Sequence, residues 1–188
     1  MINPRNHKIS ICGLQGSGKT YFSKEMVKRN NMRVLVYSPH WKDFEHEPEK
    51  NFLFYSPFSV DPKQVEKFLD YAMRLCKEGH IDGVFMDEFD MVYQSNFMIG
   101  TTATDIFSNH RHYDMCIIMI TRRPQDIPAK VFESSKHIIC FPLQGQNVQK
   151  KFNGLYKGMG DEIINLEYET WKYIHKEIGQ PPKLMPPV

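Results

Sequence analysis

Residues 13–20 read Gly13-Leu14-Gln15-Gly16-Ser17-Gly18-Lys19-Thr20. The spacing is G-x-x-x-x-G-K-[ST], with Gly13, Gly18, Lys19 and Thr20 at the fixed positions. Such a run carries meaning only between a strand and a helix, and both flanks supply that context. Lys8-Ile9-Ser10-Ile11-Cys12 reads as a short buried strand. Residues 21–29 read as a helix, with Tyr21, Phe22, Met26 and Val27 available for the sheet side. Glycines remove side chains where backbone N–H groups must wrap an anion. The start of the helix adds partial positive charge. The stretch therefore reads as a phosphate cradle for ATP, built from Gly13, Gln15, Gly16, Ser17 and Gly18. Lys19 would neutralise the β and γ phosphates, and Thr20 would hold Mg²⁺.

Outward from the loop, short apolar runs alternate with helical patterns. Residues 33–37 (RVLVY) predict a second strand, closed by Ser38-Pro39, and residues 52–55 (FLFY) a third. Asp61 fits a helix N-cap, Pro62 the first helical position, and Gln64 completes a capping box. Val65, Phe68, Leu69, Ala72 and Cys76 share one face of that helix, which Gly79 ends. Residues 83–87 (GVFMD) read as a buried strand ending in acid, and a helical stretch follows around 101–110. The run Met115-Cys116-Ile117-Ile118-Met119-Ile120 has no alternation, which predicts a central parallel strand covered on both faces. Residues 137–141 read as another strand, 147–152 and 161–166 as helices, and 169–175 as a late edge strand. This alternation predicts an α/β fold, a parallel sheet with helices on both faces.

The strand before Asp87 delivers Asp87 and Glu88 at its carboxyl end, the edge where open α/β sheets bind ligands. Asp87 would reach the Mg²⁺, and Glu88 would take a proton from an attacking water. A water-activating glutamate suits an ATPase that does mechanical work. Asp90 reads as a solvated bystander.

With 188 residues, the chain has room for one ordinary domain. Residues 1–180 read as that domain and 181–188 as a proline-rich tail, either an extended arm against a neighbour or loose. No apolar run approaches the ~20 residues of a membrane span. The start Met1-Ile2-Asn3-Pro4-Arg5 lacks the form of a signal peptide, so a cytosolic or virion-carried protein is expected. Cys12, Cys76, Cys116 and Cys140 have no C-x-x-C spacing and read as buried reduced thiols. Net charge is +2, from 24 basic and 22 acidic residues, so composition alone announces no nucleic-acid partner.

A third element carries a resemblance. Asn109-His110-Arg111-His112 precedes the strand at 115–120, and Thr121-Arg122-Arg123-Pro124-Gln125-Asp126-Ile127-Pro128 follows it. Together with the phosphate loop and acidic strand, in order over residues 8–142, this resembles the FtsK/HerA family of P-loop motors. The short length resembles its small genome-packaging ATPases of tailless icosahedral, membrane-containing viruses, archaeal viruses included. The resemblance implies a RecA-like (ASCE) P-loop NTPase, a three-layer sandwich with a mainly parallel central sheet. It implies a homo-oligomeric ring that moves double-stranded DNA through non-sequence-specific phosphate contacts, with capsid or portal vertex proteins as further partners.

In the family, an arginine at the place of Arg111 reaches the γ-phosphate of the adjacent subunit. The polar sensor after the strand is usually glutamine, and here it is Arg122. An arginine contacts phosphate oxygens through its donor fork but accepts no hydrogen bond, so Arg122 acts either as an altered sensor or at a subunit boundary. His110, His112 and Cys116 lack a fourth ligand for a metal site. The loop at 93–104 and Lys150 and Lys151 are candidates for the DNA channel. Two other readings compete: a small nucleoside or nucleotide kinase, in which Arg122 and Arg123 would be lid arginines, and an ATP-binding phage or pilus assembly factor. In the motor branch a strand lies between the phosphate-loop strand and the acidic strand, which separates it from most kinases of this type.

Overall fold

The computed structural model describes residues 2–93 and 101–187. Strands β1 (Lys8–Cys12), β2 (Val34–Tyr37), β3 (Phe52–Phe54), β4 (Gly83–Met86), β5 (Cys116–Thr121), β6 (His137–Cys140), β7 (Tyr173–Glu177) and β8 (Lys183–Met185) form one sheet. Their order is β3-β2-β4-β5-β1-β6-β7-β8, with β1 to β6 parallel and β7 and β8 each antiparallel to the preceding neighbour. β5 therefore lies between β1 and β4. All six of its residues are buried, as a run without alternation requires.

Side chains alternate across the sheet. Ile9, Ile11, Val34, Val36, Ile118 and Ile120 pack with Phe22, Met26 and Val27 of α1 (Lys19–Arg29). Leu35, Tyr37, Ile117 and Met119 point the other way. That face is covered by α2 (Pro62–Lys77), α3 (Phe89–Val92), α4 (Thr101–Asn109), α5 (Ala129–Glu133), α6 (Gln146–Leu155) and α7 (Met159–Ile164). The predicted face of α2 is the buried one. Its start differs in one detail: Asp61 caps Lys63 N–H at 3.1 Å, but the Asp61 N–H bonds Ser59 Oγ, also at 3.1 Å. Ser59 thus occupies the donor that the capping box would have given to Gln64.

Two expectations about the outer elements change. Tyr21 points outward, with 60% of its surface exposed, while Phe22, Met26 and Val27 are buried. The late strand begins at Tyr173 and is not the edge, because residues 183–185 of the tail pair beyond it. The four cysteines are free and buried. Among the described residues, no helix is long and apolar enough to cross a membrane.

Candidate active site

Parallel strands leave at one edge, so the segments after β1, β2, β4 and β5 converge there. The phosphate loop follows β1. Gly18 forms the N-cap of α1 at φ 94°, a conformation that disfavours any side chain. Among the described residues, no side chain caps α1, so its first-turn N–H groups face the loop. A Cβ on Gly13 would stand 2.6 Å from both Phe141 Cβ and Ser17 Oγ. Ser17 Oγ is itself buried and has no hydrogen-bond partner among the described residues. Lys19 is buried, and its Nζ donates to Leu14 O at 2.6 Å. Burial lowers its pKa, against the pull of Cys12, Glu88 and Asp87. Thr20 is half-buried at the start of the helix.

Asp87 and Glu88 follow β4, and both are buried. Asp87 Oδ2 accepts from Ser38 Oγ and Oδ1 from Glu88 N–H, each at 3.0 Å. Burial still pushes its carboxyl above the usual range. Glu88 sits at φ 50°, which turns the chain sharply into α3. Burial and then Asp87 raise its pKa, and Arg122 pulls it down. Glu88 Oε2 accepts from Arg122 Nε at 2.9 Å, and Oε1 lies 3.6 Å from His40 Nε2. Arg122 Nη1 also reaches Gln15 Oε1 at 3.5 Å. One guanidinium thus links the acidic strand to the phosphate loop.

Asp90 is no bystander. The turn at Glu88 brings it back under β5, where it is buried. Its Oδ1 accepts from Thr121 Oγ1 at 2.6 Å and from Arg122 N–H at 3.3 Å, which fixes the backbone that carries Arg122. Ser38, His40 and Asp90 were missed as site residues. Ser38 and His40 had a signal in their place after β2, but Asp90 had none in sequence.

Arg111 is not brought to this edge in its own chain. It is exposed on the 3-10 turn His110–Tyr113 before β5, whereas Arg122 follows β5. Six residues of strand put about 20 Å between the two ends. The His110 ring is buried, with Nδ1 2.9 Å from Met115 O. Lys151 is half-buried and bonds Ile127 O, so it is not a free channel cation, whereas Lys150 is exposed. Of the channel-loop candidates, Gln94, Ser95 and Asn96 lie outside the described residues.

The set of a glycine loop, a buried lysine, and an Asp-Glu pair one strand removed decides the architecture. The fold is that of a RecA-like P-loop NTPase. The chain is similar to the genome packaging NTPase B204 of Sulfolobus turreted icosahedral virus 2 in complex with ATP-gammaS, with TM-score 0.83, 15% identity and 100% of both chains covered. It is equally similar to B204 of Sulfolobus turreted icosahedral virus, described as a DNA-packaging ATPase, at TM-score 0.83 and 17% identity over 100% of both chains. The pCW3 conjugation coupling protein TcpA with ATPgS matches at TM-score 0.62 and 12% identity, over 99% of this chain and 61% of that one. No protein-family model matches, and no curated protein sequence does. The fold that the sequence elements imply is thus the fold observed.

Proposed function

We propose that this chain is an ATPase motor that moves double-stranded DNA, and that its task is packaging a viral genome into a capsid. The observation that carries this reading is the buried Asp87-Glu88 pair facing the phosphate loop across β5. The strand between β1 and β4 and the full-length likeness to packaging NTPases support it over a kinase.

Lys19 exchanges Leu14 O for the β and γ phosphates. The buried Ser17 hydroxyl beside Gly13, without a hydrogen-bond partner among the described residues, suits an anion cradle. The hydroxyl of Thr20 and the carboxylate of Asp87 are hard oxygen donors that suit Mg²⁺. That ion, when bound, neutralises phosphate charge. Glu88 accepts a proton from the water that attacks the γ-phosphate in line. Arg122 holds Glu88 in an ion pair, Nε to Oε2 at 2.9 Å. A bound triphosphate offers that guanidinium a second anion, and its transfer leaves Glu88 free to act. Arg111 cannot serve its own site from the far edge, which suits a finger that enters the neighbour's site in a homo-oligomeric ring. DNA would be held by its phosphates, and capsid or portal vertex proteins would anchor the ring, in the host cytoplasm and on the virion.

The test is steady-state ATP hydrolysis, with and without double-stranded DNA, across protein concentration. Turnover that rises cooperatively with protein, and again with DNA, is expected. Turnover absent throughout, with phosphate passed to an added nucleoside or nucleotide, would transfer the assignment to a kinase. Glu88→Gln is expected to keep ATP binding and lose hydrolysis.

A further inference from the structure

A cavity of about 610 Å³ opens beside the phosphate loop, lined by Gly18, Tyr21, Phe22, Phe141, Trp171 and Pro187. That size is ordinary for a small-molecule site. Topology builds it. β6 runs toward the nucleotide edge, so β7, antiparallel to it, starts there, and β8, antiparallel again, ends there. The residue pairs Cys12↔Cys140, Cys140↔Ile174 and Tyr173↔Met185 place the entry to β7 and the exit from β8 level with the loop. Trp171 precedes that entry and Pro187 follows that exit.

Two large aromatic surfaces are left open here: Tyr21 is 60% exposed and Trp171 44%. Trp171 is also held at φ 54°, a backbone conformation that bulky residues rarely adopt. The segment is tied down nearby, because Tyr168 Oη donates to Gln15 O at 2.6 Å. A Cβ on Gly18 would lie 3.9 Å from Trp171 Cε3, so the indole stands directly against the loop. The floor is a ring cluster, Phe22 against Phe141 at 5.8 Å and against Tyr173 at 5.1 Å.

We propose that this cavity takes the nucleobase of the triphosphate held by the loop, by stacking on Trp171 and Tyr21, without selecting among bases. The proposal rests on the nucleotide-binding reading above. Every base offers a flat π face to an aromatic ring, whereas telling adenine from guanine requires polar groups at the base edge. Among the described residues, no charged or amide side chain lines the cavity, and the side-chain polar atoms of its lining are those of the two stacking rings, Tyr21 and Trp171. The tail beyond β8 is thereby part of the site, its proline serving as outer wall.

The experiment uses the Trp41→Phe background, in which Trp171 is the remaining tryptophan. ATP, GTP and inorganic tripolyphosphate are titrated with Mg²⁺ by calorimetry and tryptophan fluorescence. ATP and GTP are expected to bind within about fivefold of each other and to quench Trp171. Tripolyphosphate should leave the fluorescence unchanged and bind more weakly, by roughly five- to 150-fold, the contribution of one stacked base. Trp171→Ala should bring ATP down to the tripolyphosphate level, and Tyr21→Ala, on an exposed helix position, should do so in part. Tripolyphosphate affinity should stay the same in both variants. An unchanged ATP-to-tripolyphosphate ratio in both would overturn the pocket, and a preference for ATP over GTP beyond about fivefold, roughly 1 kcal/mol, would overturn its lack of selectivity. Wild-type protein that binds neither ATP nor tripolyphosphate would instead remove the nucleotide-binding reading itself.

Discussion

Replacing Arg122 by glutamine puts the reasoning about the general base under direct strain. Glu88 is 8% exposed in its side chain, and Arg122 Nε stands 2.9 Å from Oε2. Two unit charges about 4 Å apart interact by about 4 kcal/mol at an effective dielectric of 20, and by about 1 kcal/mol in bulk water. The guanidinium is 39% exposed, so the working figure lies toward the watery limit, at about 1–2 kcal/mol. Glutamine keeps a donor but not the charge. Burial and Asp87 then act on Glu88 unopposed, and its already raised pKa climbs further. A carboxyl whose folded pKa lies above its unfolded value lowers stability at high pH, and the loss disappears as pH falls below the unfolded pKa. Arg122→Gln should therefore be less stable than wild type by about 1–2 kcal/mol near pH 8, with the gap closing toward pH 4. Urea melts at a series of pH values measure that gap. Carboxyl ¹³C NMR, with Glu88→Gln to assign the signal, follows the titration itself, which should move to higher pH. The acid limb of kcat/KM, which reports the free enzyme, should move the same way. A Glu88 titration identical in both proteins, or a stability gap independent of pH, would refute the account of how Arg122 tunes the base.

Asp90→Ala leaves the Thr121 hydroxyl and the Arg122 N–H without their acceptor, so a stability loss of about 1–3 kcal/mol is expected in denaturant melts, together with reduced turnover. His137 lies in a chain of imidazoles, 3.2 Å from His175 and 3.3 Å from His7, and burial lowers its pKa from 6.5 to about 4. The unfolded chain takes up that proton first, so stability should fall as pH drops from 6.5 to about 4, by up to about 3 kcal/mol. His137→Gln should flatten that slope in melts over this range. Arg111→Ala mixed with wild-type protein should depress ATP turnover by more than its share if the finger crosses between subunits, and strictly proportional loss would place the residue outside the neighbour's site.

What sequence could and could not disclose follows from where the causes lie. The strands β1, β2, β4, β5 and β6 were legible because a buried parallel strand must be a nearly continuous apolar run. The phosphate loop was legible because its function is local, a turn and a helix start in consecutive residues. Asp90 was not, because its role depends on one left-handed residue, Glu88 at φ 50°, that folds the next turn back beneath β5. Tyr21 was misjudged because the loop fixes the phase of α1, and one position before Phe22 turns a side chain out of the core.

Trp171 and Pro187 were further from reach, and the reason is topological. A reader who looks for site residues after strands searches the carboxyl ends, which is sound while the sheet stays parallel. At β7 the direction reverses, so the residues before the strand are the ones at the nucleotide edge. At β8 it reverses again, and the residues after it return to that edge. Neither reversal is written in periodicity, because alternation along a strand is the same in both directions. Prolines in the tail argued only against a helix, and at an edge strand they are compatible with pairing. The antiparallel turn of the last two strands therefore does more than extend the sheet: it returns an unremarkable tail to the site that the first strand began.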